Sequence, residues 1–203
     1  MPERATHPQR RTQADRRAET RAALLDSAAR AISVHGFGNL KLAEVADEAG
    51  YTRGALYHLF EDKEELALAV LASIWEAWQH RVGSLVRADA EPLQALINLA
   101  RGHIAFCRDG RVRVMMTLRV EFAERDHGVG EAVSKISSDL QERVEQLIVR
   151  GRRSGSIPQG PPAGIMAAAY LSAVEGLALG IAGRTPHDED LAERMVLGLL
   201  TSN

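Results

Sequence analysis

The residues that first suggest chemistry are His103 and Cys107, which stand four positions apart in a predicted helix. A His and a Cys at this spacing share one helix face and can offer two ligands to a metal ion. Two ligands do not complete a site, so the sequence favours a buried thiol beside a hydrogen-bonded imidazole. No Ser/His/Asp or paired-carboxylate constellation follows from the spacing of the remaining residues. We therefore predict no catalytic residue, no metal site and no cofactor.

A second group of polar side chains, of types that can bind anions or nucleic acid, follows a predicted tight turn at Gly50. Apolar residues on both sides of this glycine suit two short helices that cross steeply, and glycine can adopt the positive φ of such a turn. Thr52 is placed to cap the second helix. Arg53 opposes the helix dipole unless an anion docks beside it, and Tyr57 and His58 lie one turn further. The pattern predicts a helix-turn-helix, whose second helix enters the DNA major groove, although an αα-hairpin in an ordinary helical core is the alternative.

The stretch from Thr20 to Leu71 resembles the DNA-binding region of the tetracycline-repressor (TetR/AcrR) family of bacterial transcriptional regulators. The residues that match the family's pattern are Gly36, Phe37, Val45, Ala46, Ala49, Gly50, Gly54, Leu56, Tyr57, Phe60, Lys63 and Leu66. Leu40 stands where the family usually has a capping Thr, so Asn39 or a fraying end is expected to serve. Ala43 removes a polar residue that often approaches phosphate, and Tyr51 replaces the usual Val.

The resemblance implies a homodimeric repressor that binds a palindromic operator in double-stranded DNA and is released by an unidentified small-molecule effector. A transcriptional activator is an alternative, as is a ligand-binding or metal- or thiol-sensing helical dimer that uses His103 and Cys107. The motif and the resemblance together predict these DNA-binding residues: Lys41, Thr52, Arg53, Gly54, Tyr57, His58 and Lys63.

Hydrophobic periodicity predicts helices throughout and no strands, about nine helices in all. Besides the two short helices around Gly50, the predicted helices span about 20–35, 62–87, 92–107, 111–125, 131–153, 163–182 and 188–200. We divide the chain into a basic, disordered arm (1–18), a helix-turn-helix domain (19–64) and a larger effector-binding and dimerisation domain (65–203). The expected fold is all-α.

Composition agrees with this division. The chain has 203 residues, of which 45% are hydrophobic and 26% are charged, and its net charge is -2. Residues 1–63 contain ten Lys and Arg against nine Asp and Glu, whereas residues 64–203 contain fifteen against eighteen. The single cysteine excludes an internal disulfide and suits a reducing compartment. No apolar run with a basic lead opens the chain, so we expect a cytoplasmic location.

The stretch 163–183 is almost entirely apolar, with Glu175 as its single charge. A membrane span of about 20 residues is one interpretation, but a mid-span carboxylate and a composition rich in Ala and Gly argue against it. Small residues recur at helical steps and permit close helix-helix approach, so the alternatives are a core helix or a dimer interface. The resemblance favours the dimer, with interface residues Ala169, Ala173, Gly176, Gly180, Leu191, Met195 and Leu199.

Large apolar and a few polar side chains suggest a ligand cavity among the later helices. The predicted lining residues are Trp75, Trp78, His103, Phe106, Cys107, Met115, Arg119, Phe122, Tyr170 and Glu175. Ordinary core packing is the alternative for each of them, because large residues at helical spacing usually serve a core. The existence of a cavity is implied by the resemblance, since the family responds to small effectors.

Overall fold

A computed structural model of the chain describes residues 12–86, 90–110, 112–122 and 127–201. All regular structure within these ranges is helical, as predicted, and two short 3-10 turns lie at 83–85 and 107–109. The nine α-helices of the described ranges are α1 (Gln13–His35), α2 (Leu42–Glu48), α3 (Arg53–Tyr57), α4 (Lys63–Arg81), α5 (Pro92–Phe106), α6 (Val112–Phe122), α7 (Gly128–Ser154), α8 (Ala163–Ile181) and α9 (His187–Thr201).

The first three helices enclose a small core that continues into the start of α4. Leu24 and Ile32 of α1, Ala46 of α2 and Leu56 of α3 are all fully buried in this core. The alanine leaves room for close helix approach. Ser27 is a buried polar residue in this core, and its hydroxyl donates to the Val45 carbonyl at 3.0 Å. Because its hydrogen bond is satisfied, this polar group carries little desolvation penalty.

The predicted disordered arm is wrong for residues 13–18, which form the start of α1. Thr12 accepts a hydrogen bond from the Asp15 amide, and the Asp15 carboxylate accepts one from the Thr12 amide, at 3.1 and 2.9 Å. These reciprocal bonds form a capping box. Good helix-forming residues follow it, so the helix extends beyond its buried part. Residues 1–11 of the predicted arm lie outside the described residues.

Two other predicted helix ends differ from the structure. Asn39 does not cap α2: its amide donates to the His35 carbonyl, and Lys41 occupies the N-cap position without a side-chain hydrogen bond. Helix α4 ends at Arg81 rather than near residue 87, because Gly83 follows and the chain tightens into a 3-10 turn. Its start is as predicted, with the Asp62 carboxylate accepting from the Glu65 amide at 2.8 Å.

Helices α5 to α9 and the rest of α4 contribute the larger part of the same hydrophobic core. Helix α5 packs mainly on α9, and α8 packs mainly on α7. Among the described helices, α8 alone is long and apolar enough to cross a membrane, with a mean hydropathy of 1.6. The rest of the chain buries only 22% of the most apolar 18 residues of α8.

An ion-pair network joins the end of α5 to α9. The Arg108 guanidinium donates to both carboxylate oxygens of the fully buried Asp188, at 3.1 and 3.0 Å. Hydrogen bonds from Arg108 hold the pKa of Asp188 below its usual value. Arg101 makes similar pairs with Glu189 and Glu193. The network fixes α9 beside α5 and thereby also orients the neighbouring α8.

Candidate DNA-binding surface and ligand cavity

The turn between α2 and α3 is built as the sequence predicts. Gly50 has a φ of +77°, and its amide donates to the Asp47 carbonyl at 3.1 Å. The Tyr51 amide donates to the Ala46 carbonyl at 2.9 Å, which completes a Schellman motif. The Thr52 hydroxyl oxygen then accepts from the Ala55 amide at 3.2 Å and caps α3. Local residues therefore fix the angle between the two helices.

Helix α3 presents its polar residues to solvent. Leu56 is fully buried and anchors the helix, whereas Tyr57 is 56% exposed. Thr52, Arg53, Gly54 and His58 are also exposed. A Cβ atom added at Gly54 would contact the rest of the chain only at the Thr52 hydroxyl oxygen, at 3.8 Å. Packing within the described chain therefore does not require a glycine at this position.

The two lysines predicted to contact DNA have partners within the chain. The exposed Lys41 ammonium pairs with Glu44 at 2.8 Å, and this hydrogen bond raises the pKa of Lys41. The Lys63 ammonium lies 4.5 Å from the centre of the Phe37 ring, a cation–π distance. Both groups lie at helix starts in the same unit as α3.

A carboxylate from α6 clasps the loop between α1 and α2, a contact that no local sequence pattern predicts. Glu121 accepts hydrogen bonds from the Phe37 amide at 2.7 Å and from the Gly38 amide at 2.6 Å. Cβ atoms at Gly36 and Gly38 would each lie 3.0 Å from a Glu121 carboxylate oxygen. Glycine on both sides of Phe37 therefore permits this close approach. We call this contact the Glu121 clasp.

Phe122 belongs beside this clasp and was wrongly predicted to line the ligand cavity. Its ring lies 5.1 Å from the Phe37 ring and 4.4 Å from the His127 ring. Helical geometry turns Phe122 away from the cavity and toward the N-terminal unit, so its apolar surface is buried between the two parts of the chain.

A cavity of about 180 Å³ lies among α4, α5, α6, α7 and α8. Eight of the ten predicted lining residues do line it: Trp75, Trp78, His103, Phe106, Cys107, Met115, Arg119 and Glu175. Sequence reasoning missed several others, chiefly from α7 and α8: Ile74, Ile136, Ser137, Leu140, Gln141, Ala168, Leu171 and Ser172. The small and polar ones among these residues have no property that marks a cavity in the sequence, and the aliphatic ones resemble ordinary core residues.

Tyr170 is the other wrong prediction for this cavity. The residue is fully buried, and its hydroxyl donates to the Leu96 carbonyl at 2.7 Å. Burial raises the pKa of this phenol. Because the ring packs between α5 and α8 and the hydroxyl is already bonded, Tyr170 serves the core instead of the cavity wall.

One wall of the cavity is aromatic and uncharged. The Trp75 and Trp78 rings stack with their centres 5.0 Å apart and their planes 9° from parallel. The Trp78 indole N–H donates to Nδ1 of His103 at 3.0 Å, which places the imidazole hydrogen on Nε2, 3.4 Å from the Cys107 sulfur. Burial lowers the pKa of His103 from 6.5 to about 4. The predicted pairing of a buried thiol with a hydrogen-bonded imidazole is confirmed.

The cavity lining also holds one compensated pair of charges, contributed by α6 and α8. The Arg119 guanidinium donates to both oxygens of Glu175 at 2.7 and 2.9 Å, and to the Ser137 hydroxyl at 3.1 Å. This contact joins α6, α7 and α8 around the cavity. Among the described residues, no group of three or more His, Cys, Asp or Glu side chains could hold a metal ion.

The outer face of α8 and α9 is apolar and rich in glycine. Ile165 is 64% exposed and Leu191 is 43% exposed. Cβ atoms added at Gly176, Gly180 or Gly198 would meet nothing within 4 Å. Of the residues predicted at a dimer interface, four are exposed (Ala169, Gly176, Gly180 and Leu191) and three are partly exposed (Ala173, Met195 and Leu199).

Comparison with known proteins places this architecture in a family. Residues 24–70 match the model for "Bacterial regulatory proteins, tetR family". The HTH-type transcriptional regulator CymR of Pseudomonas putida is 39% identical over 141 residues, which cover 69% of this chain and 68% of that protein. The HTH-type transcriptional regulator TtgR, also of Pseudomonas putida, is 28% identical over 164 residues, 78% of each chain.

A solved structure shares the whole fold. The crystal structure of AibR in complex with isovaleryl coenzyme A and operator DNA has a TM-score of 0.76, with 22% identity over 91% of this chain and 100% of that one. The likeness covers both the helix-turn-helix unit and the larger helical part. The family model and the similarity to CymR lead to one conclusion: this chain belongs to the tetR family of bacterial regulatory proteins and is a DNA-binding transcriptional regulator.

Proposed function

We propose that this regulator is a homodimeric repressor that binds a pseudo-palindromic operator through α3 and is released by a small-molecule effector. The observation that carries the proposal is the outward face of α3. This short helix is held by the buried Leu56 and presents Arg53, Tyr57 and His58 to solvent. Side chains of these types, aligned on a second helix after a tight turn, suit contacts in the major groove.

We assign different roles to the residues around α3. Thr52, Lys41 and Lys63 are positioning residues that contact phosphates, which fix the register of the protein on DNA. Arg53, Tyr57 and His58 are the residues that reach base edges. Arginine at this place can donate two hydrogen bonds to a guanine. Gly54 permits close approach of the α3 backbone, since packing within the chain does not demand a glycine there.

The dimer would form through the outer face of α8 and α9. Glycine inside a helix costs about 1 kcal/mol relative to alanine, and Gly176 and Gly180 have open space in place of an intrachain contact. A second copy packed against α8 would use this space and bury the exposed Ile165 and Leu191. A two-fold axis through this face predicts two recognition helices about 34–36 Å apart, or a multiple of the helical turn.

A ligand in the cavity would act on α3 through two helices that reach both regions. Helix α6 places Arg119 in the cavity wall and Glu121 on the loop before α2. Helix α4 begins at Lys63 in the DNA-binding unit and places Trp75 and Trp78 in the cavity wall. An effector that prefers one arrangement of these helices weakens DNA affinity by its differential affinity for the two states. The AibR structure, which holds a ligand and operator DNA together, supports such a two-site regulator.

The direct test is selection of bound duplexes from a random DNA pool at two salt concentrations. We expect one palindromic sequence whose affinity falls steeply with salt, because phosphate contacts release counterions. Recovery of a non-repeated sequence would contradict the two-fold arrangement, and recovery of none would contradict operator recognition by the ligand-free protein. The position of the recovered operator relative to a promoter, tested with a reporter gene, then distinguishes repression from activation.

Two variants test the competing functions. An Arg53→Ala, Lys63→Ala double variant with unchanged DNA affinity would show that the helix-turn-helix is merely architectural. A Cys107→Ser variant that keeps DNA binding and ligand response would exclude a thiol or metal sensor at His103. Exposed Arg143 on α7 supplies the matched Arg→Ala control, since it lies outside the DNA-binding unit.

A further inference from the structure

The cavity wall limits the chemistry of the molecule that it can hold. We propose that its ligand is an uncharged compound with a flat aromatic ring system and one hydrogen-bond acceptor; this inference rests on the proposed function, in which the cavity binds the effector. Trp75 and Trp78, whose rings stack on each other, line the cavity with apolar aromatic surface, and Phe106 and Met115 extend this surface. Aromatic side chains favour offset-stacked or edge-to-face contact with another ring.

The charges in the wall exclude ionised ligands. Arg119 and Glu175 neutralise each other through two hydrogen bonds, so the pair presents no net charge to the cavity. A carboxylate placed beside Arg119 would also face Glu175, and an ammonium placed beside Glu175 would also face Arg119. His103 supplies no charge at neutral pH, because burial keeps its imidazole neutral. An ionised ligand would therefore lose its hydration shell without a counter-charge of its own.

The same pair offers a place for a neutral acceptor. The guanidinium of Arg119 uses three of its N–H groups on Glu175 and Ser137. Its remaining N–H groups can donate to a ligand carbonyl or hydroxyl oxygen while the ion pair stays intact. A ring system with one such oxygen therefore suits both kinds of lining residue: the rings contact the aromatic side chains and the oxygen accepts from Arg119.

The test uses four naphthalenes of nearly equal size, with titration calorimetry on the full-length protein in the absence of DNA. The probes are 2-acetylnaphthalene (neutral, with an acceptor), 2-ethylnaphthalene (neutral, without one), 2-naphthoate (anionic) and 2-naphthylmethylammonium (cationic). We expect 2-acetylnaphthalene to bind more tightly than each of the others by about tenfold or more. Tighter or equal binding of either ion, equal binding of 2-ethylnaphthalene, or no binding of any probe would overturn the inference.

Two variants sharpen the test by removing one charge at a time. Glu175→Gln leaves Arg119 uncompensated and is expected to shift the preference to 2-naphthoate. Arg119→Gln leaves Glu175 uncompensated and is expected to shift it to 2-naphthylmethylammonium. Glu131→Gln and Arg143→Gln, at exposed sites on α7, are the matched controls and should keep the wild-type ranking. An unchanged ranking in a folded Glu175→Gln protein would contradict the role of the pair.

The failure of this inference differs from the failure of the proposed function. If 2-acetylnaphthalene binds as expected but leaves the operator complex intact, the ligand class stands and the effector role of the cavity is wrong. If a different ligand releases the operator while the probe ranking fails, the proposed function stands and the ligand class is wrong.

Discussion

The recognition helix and the ligand cavity use polar residues in opposite ways. On α3, Arg53 and His58 project into solvent, where a DNA partner can bond them. In the cavity, Arg119 is bonded to Glu175, and His103 accepts from Trp78. The outward side chains are open to a partner, whereas the two charges of the inward site already compensate each other. Under the proposed function, charge would select the macromolecular partner, while shape and neutrality would select the small one.

The largest effect is expected from the loss of Leu56, which anchors α3. Leu56→Ala removes a fully buried side chain of α3 from the core that α3 shares with α1 and α2. Such a change costs about 2–5 kcal/mol in free energy of unfolding. Urea denaturation followed by circular dichroism measures this loss. Val34→Ala, at a site 71% exposed, is the control and should change stability little. A small loss for Leu56→Ala would mean that α3 does not depend on this core.

The next effect concerns the exposed face itself. Arg53→Ala is expected to weaken operator binding by about 1–3 kcal/mol and to leave the free energy of unfolding unchanged, because the side chain lies outside the core. Affinities for the selected operator and for a sequence changed at one base pair, measured by fluorescence anisotropy, distinguish the two kinds of contact. Equal losses on both sequences would assign Arg53 to phosphate rather than to a base.

A smaller effect tests the connection between the two sites. Glu121→Gln keeps one acceptor oxygen in the clasp but removes its negative charge, so we expect a loss of about 1 kcal/mol in free energy of unfolding. Operator release by a given concentration of effector should also become less complete. Asp139→Asn on α7, a partly exposed carboxylate outside the clasp, is the control. Full effector response in Glu121→Gln would show that coupling runs through α4 alone.

The smallest effect comes from the neutral imidazole in the cavity. The pKa of His103 is about 4 in the folded chain against 6.5 when unperturbed, so the unfolded chain binds more protons between these values. Stability therefore falls as pH decreases below neutral: the loss is less than about 1 kcal/mol at about pH 6, which is the effect ranked here, and it grows as the pH approaches 4. Urea denaturation at several pH values measures the slope, and His103→Asn should flatten it. An equal slope in His103→Asn would assign the effect to other groups.

The parts of the molecule that the sequence predicted well are those set by neighbouring residues. The Gly50 turn, the Thr52 cap and the Asp62 cap each depend on side chains within a few positions. The start of α1 was predicted too late in the chain. The Thr12 capping box extends this helix beyond its buried residues, into a stretch that has no hydrophobic periodicity. Local chemistry was therefore enough to predict the helix-turn-helix almost completely.

The parts that were wrong or missed depend on contacts between distant residues. Tyr170 and Phe122 have the types expected of a cavity wall, but their orientation is set by Leu96 and Phe37, far away in the chain. Glu121 accepts from the Phe37 amide, 84 positions away in the chain. The sequence does not distinguish this glutamate from other glutamates on helices, so the contact could not be predicted. Residue types could indicate a cavity; only packing decides which side chains face it.

The Glu121 clasp also affects how such regulators could be recombined. An N-terminal unit cut at residue 64 would carry Gly36, Phe37 and Gly38 into a chimera but leave behind the carboxylate that their amides bond. In a recipient that lacks an acidic residue at the matching point of its sixth helix, two amides of the transplanted loop would lose their partner. Exchange of DNA-binding units between regulators should therefore succeed when the loop that contains Phe37 and Gly38 and the part of α6 that contains Glu121 are transferred together.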